Sequence, residues 1–528
     1  MTETTIIDGF EQNKRNTIEY FDDNNRLIKK NFDTFYQDVL KVIQYLNERA
    51  LPQRARVGAI CRNRYEFVVL DMACLLGGYH FVSFHYEENK DKAEELFVKY
   101  ELSYLLVEED TIIREEANIG IETCKVIRKT IERDVNVSRE LVINLKSDEY
   151  FTTIFTSGST GVPKGLKVKY RSISHFIKNC IRRFPINHDD KTVLFLPLSQ
   201  YSSRLYVYSA IIVGFNFSIC QPDKLGIALR YFKPTLFQAV PYFFESIFDN
   251  LQTQIKKSIW KKSLLWALST LNSVNMLKSI LSPVNKKVYQ DIHDFLGGKV
   301  RFVVTGAAPI RREVLVFFSR IGIPLYESYG LIETGVIALN YPECQKIGSV
   351  GKVLSDKRIL FDENQQIIVE SEELWGDAYE YTSNEENKKL FEKKNRIVTG
   401  DIGEMDRDGF LYIKGRIKEQ IVLSNGTKVS PSILEKEIAC SPLIRQIAIF
   451  GDNQPFLSAV IVPNSKNTDK AELQIEIDRF NRKMSVSQKI KTIVKTDEDF
   501  TVENNLLKSS LKLDRAKILE RYKTHLFQ

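Results

Sequence analysis

The chain has 528 residues, of which 27% are charged and 43% apolar, and its formal net charge is +7. At about 150 residues per domain, this length calls for three or four units and excludes a single small core. The mild positive balance gives no reason to expect nucleic acid and suits anionic small molecules. The seven cysteines are scattered, odd in number and without metal-ligand spacing, a pattern that fits reduced thiols in a cytosol. The first ten residues lack the basic-then-apolar layout of a signal peptide. Asp33 or Thr34 can cap a helix whose apolar residues Phe35, Val39, Val42 and Leu46 share one face. Arg56 to Cys61 reads as a strand, Phe67 to Leu76 as a helix ending at Gly77-Gly78, and Phe81 to Phe84 as a strand. Lys90 to Tyr100 reads as a charged helix, and Tyr104 to Val107 as the next strand. Such alternation predicts a mostly parallel sheet covered on both faces. The chain has no internal repeat and no low-complexity segment.

Phe151 to Phe155 is a further strand, and after it the chain changes character. Thr156, Ser157, Gly158, Ser159, Thr160 and Gly161 form a loop of hydroxyls and glycines, followed by Val162, Pro163, Lys164 and Gly165. Gly158 and Gly161 let the backbone approach a ligand closely. Successive N–H groups in such a loop make an anion-binding concavity. Four hydroxyls and the Lys164 charge complete a polyphosphate cradle, placed outside the carboxyl end of a strand, where open α/β sheets bind ligands. It is not the P-loop of nucleotide triphosphatases, because Pro163 stands where that motif has a second glycine before the lysine.

A second α/β stretch follows, with strands at Thr192 to Pro197, Phe215 to Cys220 and Thr235 to Val240. The longest uncharged run, Leu205 to Pro222, reads as buried core rather than a membrane span. Residues 251 to 290 hold seven lysines and no acid, interleaved with Trp260, Leu264, Trp266 and Leu268. Two readings stand: a helical pair covering the core with a solvated lysine face, or a peripheral contact with anionic membrane. Val300 to Val304 is a strand, and the turn Thr305 to Pro309 has small side chains that let a flat ring lie against the backbone. Ile323 to Tyr326 leads into a loop bearing Tyr329 and Glu333, an aromatic face suited to a purine and a hard carboxylate suited to Mg²⁺. Asn425-Gly426 between Ile421–Leu423 and Thr427–Val429 is a hairpin signal. Gln446–Phe450 and Leu457–Val462 are strands of a last unit.

The string TTIFTSGSTGVPKGL (Thr152 to Leu166) resembles the signature loop of the adenylate-forming superfamily, which holds acyl-CoA synthetases, aryl-acid ligases, luciferases and peptide-synthetase adenylation domains. Three downstream stretches extend the resemblance: LGGKVRFVVTGAAPI, ESYGLIETG and the run from Arg396 to Pro431. KPTLFQAVPYFFESIF (Lys233 to Phe248) and the terminal FTVENNLLKSSLKLDRAKILERY are most like long-chain acyl-CoA synthetases, and the latter also resembles carboxylic-acid-reductase adenylation domains. The resemblance implies a large N-terminal domain of α/β subdomains with mostly parallel sheets, residues 1–415. It also implies a small mobile α+β domain, residues 416–528. It implies that Thr156 to Gly161 and Lys164 cradle the phosphates of ATP. Gly306 and Ala307 line the base, Tyr329 stacks on it beside Gly330, and Glu333 holds Mg²⁺. Asp401 binds the ribose hydroxyls and Arg416 contacts ribose or phosphate, both ordinary pairings for those groups. Lys418 is the hinge, the Gly426 hairpin approaches the thiol channel, and Lys512, rather than Lys508 four residues earlier, is the adenylation lysine.

The implied reaction is activation of a fatty or other apolar carboxylic acid as acyl-AMP, then transfer to the thiol of CoA, in the cytoplasm with membrane association open. The stretch LSQYSSRLYVYSA has no carboxylate of the kind that amino-acid-activating relatives use to pair an ammonium group. The acceptor could instead be the phosphopantetheine of a separate carrier protein, and a nucleotide-binding protein without turnover is the third reading. The sequence departs from the family twice. Ile332 stands where a threonine contacts the α-phosphate, and Gln200 replaces a histidine.

Overall fold

The structure, a computed structural model, describes residues 5–113, 120–135, 137–156, 164–256, 289–381, 385, 387, 391, 395–485, 488–501, 503–508 and 513–527. Ser157 to Gly161, Lys512 and most of the lysine-rich stretch 251 to 290 therefore lie outside the described residues. Among the described residues the strands form sheets of nine, seven, four, three and two strands.

The seven-stranded sheet runs Tyr379–Glu380, Lys164–Lys169, Tyr150–Thr156, His80–Phe84, Arg56–Ile60, Tyr104–Val107, Ile121–Thr123. Its last five strands are parallel, and the first two are antiparallel additions at one edge. The nine-stranded sheet has a parallel centre built from Thr17–Phe21, Asn216–Ile219, Lys191–Leu194, Leu236–Ala239, Phe302–Thr305 and Leu325–Leu331. Near-continuous apolar runs such as Tyr104–Val107 suit strands buried on both faces.

Helices fill the space between. Phe32–Glu48 is capped by Asn31, whose side chain accepts from the Thr34 N–H, so the expected cap at Asp33 or Thr34 is corrected by two or three residues toward the N-terminus. The reason is burial: Phe32 enters the core as the first helical residue. Tyr65–Gly77 is buried along its length and stops at Gly78, whose φ of 74° suits glycine. The charged helix begins at Ala93 rather than Lys90, because Tyr86–Asn89 forms its own short helix and residues 90–92 turn between the two. Tyr201–Val213 carries Arg204 into the interior, where it donates to Asp71 at 2.6 and 2.9 Å and to Thr152 Oγ1 at 2.8 Å. Tyr208 donates to the same carboxylate at 2.6 Å. A buried ion pair is tolerated only when its remaining groups are bonded in this way. This one fixes the strand that leads to the phosphate loop.

Beyond these sheets, Arg358–Phe361, Gln366–Glu370, Arg396–Met405 and Leu411–Arg416 form an antiparallel unit around Ile337, Ile367 and Leu411. From Ile421 onward the chain builds two hydrophobic clusters from its own residues alone. They surround the sheet Ile444–Phe450, Leu457–Pro463, Ile490–Lys495 and the helices Pro431–Ile438, Lys470–Asn481 and Arg515–Leu526. The expected hairpin is present: Ile421–Val422 pairs with Lys428–Val429, and Gly426 takes φ 81° at its tip. Arg311 Nη1 donates to the Ala439 carbonyl at 3.4 Å, one contact between this small unit and the rest.

Candidate active site

The strand Tyr150–Thr156 ends on the same edge of the sheet as its parallel neighbours His80–Phe84 and Arg56–Ile60. It returns through Lys164–Lys169 as an antiparallel partner, with Thr156 opposite Lys164 and Phe155 opposite Gly165. The expected phosphate loop is thus the connection of a hairpin whose two ends are hydrogen-bonded to each other.

Gly306 follows the strand Phe302–Thr305, and a Cβ there would stand 2.7 Å from Ser328 Oγ and 2.8 Å from the Ser328 carbonyl. Only glycine fits this approach. Ala307 takes φ 69°, an uncommon conformation for a residue with a side chain. Such strain clusters at binding sites. Tyr329 and Gly330 belong to the strand Leu325–Leu331, not to a loop as the sequence suggests. The strand continues because it pairs with Gly335–Leu339 across an irregularity between Tyr329 and Gly330.

Three expected site residues meet directly. The Tyr329 hydroxyl donates to Asp401 Oδ2 at 2.6 Å, and Arg416 Nε donates to Asp401 Oδ1 at 2.8 Å. Asp401 and Arg416 are cross-strand partners, so the pair is set by sheet register. Burial, then the Asp401 charge, hold the Tyr329 hydroxyl well above its ordinary pKa, so it remains a donor. Lys418 sits one turn further on, within the 3₁₀ turn Ile417–Glu419.

Glu333 is buried, and Tyr379 Oη donates to its Oε1 at 2.6 Å. Burial pushes its carboxyl above the usual range, while the tyrosine hydroxyl opposes that shift. Its own carbonyl accepts from the N–H groups of Trp375 at 2.8 Å and Gly376 at 3.3 Å. A neutral donor does not cancel a carboxylate's charge as a cationic partner would, and the hard carboxylate oxygens fit Mg²⁺. Ile332, next to it, is partly buried against the main core. Gln200 is exposed at the start of the helix Tyr201–Val213.

Tyr379 and Trp375 escape the sequence reading; neither lies in a recognisable spacing pattern, and each takes its place through long-range contacts. Glu327 opens the stretch ESYGLIETG but is given no role by the sequence. Glu327 is buried two residues before Tyr329, and burial pushes its carboxyl up to about 7. Cys61, Glu108 and Cys124 also converge, each immediately after a parallel strand, with the two sulfurs 3.4 Å apart. Glu108 accepts from the Arg62 N–H at 2.7 Å and from Arg64 at 2.6 Å, which places it in an ion-pair network. Among the described residues no helix is long and apolar enough to cross a membrane.

A family model described as AMP-binding enzyme matches residues 11–374, and one described as AMP-binding enzyme C-terminal domain matches residues 418–524. The chain is 27% identical to the long-chain-fatty-acid–CoA ligase FadD15 of Mycobacterium bovis, over 88% of this chain and 86% of that protein. It is 24% identical to the long-chain-fatty-acid–CoA ligase ACSBG2 of Mus musculus, over 94% of this chain and 87% of that one. Among solved structures, O-succinylbenzoate coenzyme A synthetase (MenE) from Bacillus subtilis in complex with AMP superposes with a TM-score of 0.74. It is 19% identical, with 98% of each chain covered. The adenylation domain of a carboxylate reductase from Mycobacterium chelonae gives a TM-score of 0.74 at 18% identity, over 98% of this chain and 89% of that one.

Proposed function

For a chain that belongs to the AMP-binding enzyme family, we propose ATP-dependent activation of a fatty or other apolar carboxylic acid, followed by its transfer to CoA. The observation that carries this reading is the assembly of Tyr329, Asp401 and Arg416 on one side and buried Glu333 on the other. The hairpin bearing Thr156 and Lys164 completes it. Two relatives named long-chain-fatty-acid–CoA ligases, each matching most of the chain, favour an apolar acid.

In the first step an oxygen of the substrate carboxylate attacks the α-phosphorus of ATP, and pyrophosphate leaves. The barrier is largely electrostatic, since one anion approaches another. Residues 156 to 161 and Lys164 hold the phosphates, and Lys512 adds a second cation. Asp401 and Arg416 hold the ribose, and Tyr329 stacks on the adenine with Gly306, Ala307 and Gly330 beside it. Glu333 would hold Mg²⁺, which supplies charge neutralisation across the phosphates. Catalysis here is mostly positioning and preorganised charge. In the second step the thiol sulfur attacks the acyl carbonyl, the acyl–phosphate bond breaks, and AMP leaves. No covalent protein nucleophile is needed. Residues 416–528 act as a mobile domain hinged at Lys418, withdrawing Lys512 and bringing the Gly426 hairpin toward the thiol channel.

A second reading keeps the first step and changes the acceptor to the phosphopantetheine of a carrier protein. It is favoured by likeness to the A-PCP didomain of a carboxylic acid reductase from Segniliparus rugosus, at a TM-score of 0.75. ATP–pyrophosphate exchange across acids of graded chain length tests the common step. Exchange with no acid would turn the reading toward a nucleotide-binding protein without turnover. Thioester formation with CoA against a phosphopantetheinylated carrier then separates the two acceptors.

A further inference from the structure

Tyr379 stands 46 residues beyond Glu333 in sequence, yet its hydroxyl lies 2.6 Å from the Glu333 carboxylate. Its backbone is fixed independently. The strand Tyr379–Glu380 pairs with Lys164–Lys169, with Tyr379 opposite Leu166 and Glu380 opposite Gly165. The Asn387 side chain accepts from the Tyr379 N–H at 2.9 Å and donates to its carbonyl at 2.8 Å. The same segment holds the Glu333 main chain through Trp375 and Gly376. Trp375 is anchored in turn. Its indole N–H donates to His175 Nδ1 at 3.2 Å, so His175 carries its proton on Nε2 and donates to Asp356 at 2.7 Å. The indole also fills the space beside Gly335, where a Cβ would stand 2.2 Å from it.

We infer that Tyr379 is a positioning residue that orients the Glu333 carboxylate toward the divalent cation of a bound metal–nucleotide complex. This rests on the reading of Glu333 as the metal carboxylate. The chemistry of the donor supports it. An arginine or lysine at this distance would cancel the carboxylate charge, whereas a phenol fixes one oxygen and leaves the charge intact for a cation. A ligating carboxylate is ordinarily held by such an outer hydrogen bond. The register places this donor on the strand next to the one that opens at Lys164. One residue therefore ties the metal carboxylate to the phosphate hairpin.

The test compares the wild type with Tyr379→Phe, which keeps the ring and the strand pairing and removes only the hydroxyl. Binding of Mn²⁺ in the presence of a non-hydrolysable ATP analogue is followed by electron paramagnetic resonance. Pyrophosphate release is measured as a function of Mg²⁺, and thermal unfolding is recorded for both proteins. The expected result is a dissociation constant for Mn²⁺ raised about tenfold or more. The half-saturating Mg²⁺ concentration should shift in parallel, with kcat largely recovered at saturating metal and KM for the acid unchanged. Metal curves identical to wild type, or kcat lost at every metal concentration, would overturn the positioning role. A wild type that takes up no metal with nucleotide would overturn the reading of the site itself, and this inference with it.

Discussion

The Tyr329 hydroxyl donates to Asp401 across 72 residues of sequence, and this bond joins the strand Leu325–Leu331 to the strand Arg396–Met405. Both Asp401 oxygens already have partners, Tyr329 on one and Arg416 on the other. In the proposed site a ribose diol would share this carboxylate. Asp401→Ala is expected to weaken AMP binding by about ten- to a hundredfold, the loss of one charge-assisted pairing. Tyr329→Phe keeps the stacking face and should cost far less. Calorimetric titration with AMP checks both, and equal losses would remove Asp401 from the ribose site.

Lys512→Ala is expected to slow acyl-AMP formation by roughly two to three powers of ten, the usual cost of removing one preorganised charge. Thioester formation from supplied acyl-AMP should remain largely intact. Rapid-quench measurement of each half-reaction decides it. Equal loss of both would point to damage beyond one side chain.

Lys418 lies in a 3₁₀ turn, whose φ is close to the value proline imposes. Lys418→Pro should thus fold and hold the small domain in one orientation. Pyrophosphate release is expected to survive and thioester formation to collapse. A normal rate of thioester formation would move the hinge elsewhere.

Glu327 gives a pH dependence of definite sign. Burial raises its carboxyl from the ordinary 4.5 to about 7, with the Lys436 charge acting in the opposite direction. The folded chain therefore holds this proton more tightly than the unfolded chain. Its contribution to stability is fully present below about pH 4.5 and is lost as pH rises through about 7. Glu327→Gln never ionises, so it should be more stable than wild type at pH 8 by roughly 3 kcal/mol. The two should converge toward pH 5. Urea unfolding at both pH values reads the difference, and parallel profiles would show that Glu327 titrates normally.

Ile332→Thr restores a hydroxyl at the position next to Glu333. If it reaches the α-phosphate, single-turnover pyrophosphate release should rise about ten- to a hundredfold. Ile332 packs partly buried against the main core, so thermal stability should fall by about 1 kcal/mol. An unchanged or slower rate in the folded variant would mean that the phosphate contacts are arranged differently here.

The parallel strands were legible because each is a short apolar run between turn signals. Tyr104–Val107 has the bounds read from sequence, and His80–Phe84 differs by one residue. Local rules failed where tertiary packing decided. Phe32 is drawn into the core and shifts the helix cap to Asn31, and pairing with Gly335–Leu339 extends the strand through Tyr329. The motif residues of the site were legible as types in sequence order. Their partners were not. The hydroxyl on Glu333 comes from Tyr379 and the indole beside Gly335 from Trp375, and neither has a spacing relationship to the motif it serves.

The strand Thr17–Phe21 lies parallel to Asn216–Ile219, with Ile18 opposite Phe217, and Thr17 and Asn216 are 199 residues apart. A chain made from its amino end cannot form this pairing until both segments have left the ribosome. At 5–20 residues per second the wait is roughly 10–40 s. Throughout that interval Ile18, Phe32 and Phe35, all fully buried in the finished molecule, have no partner strand to cover them. The seven-stranded sheet escapes most of this delay, because six of its strands fall between residues 56 and 169. Codon-dependent pausing between residues 169 and 216 should therefore lengthen exposure of the hairpin that Thr17–Phe21 forms with Leu27–Asn31, without delaying the first sheet. Removing that hairpin would leave the Asn216–Ile219 edge open, a template on which nascent chains pair with one another.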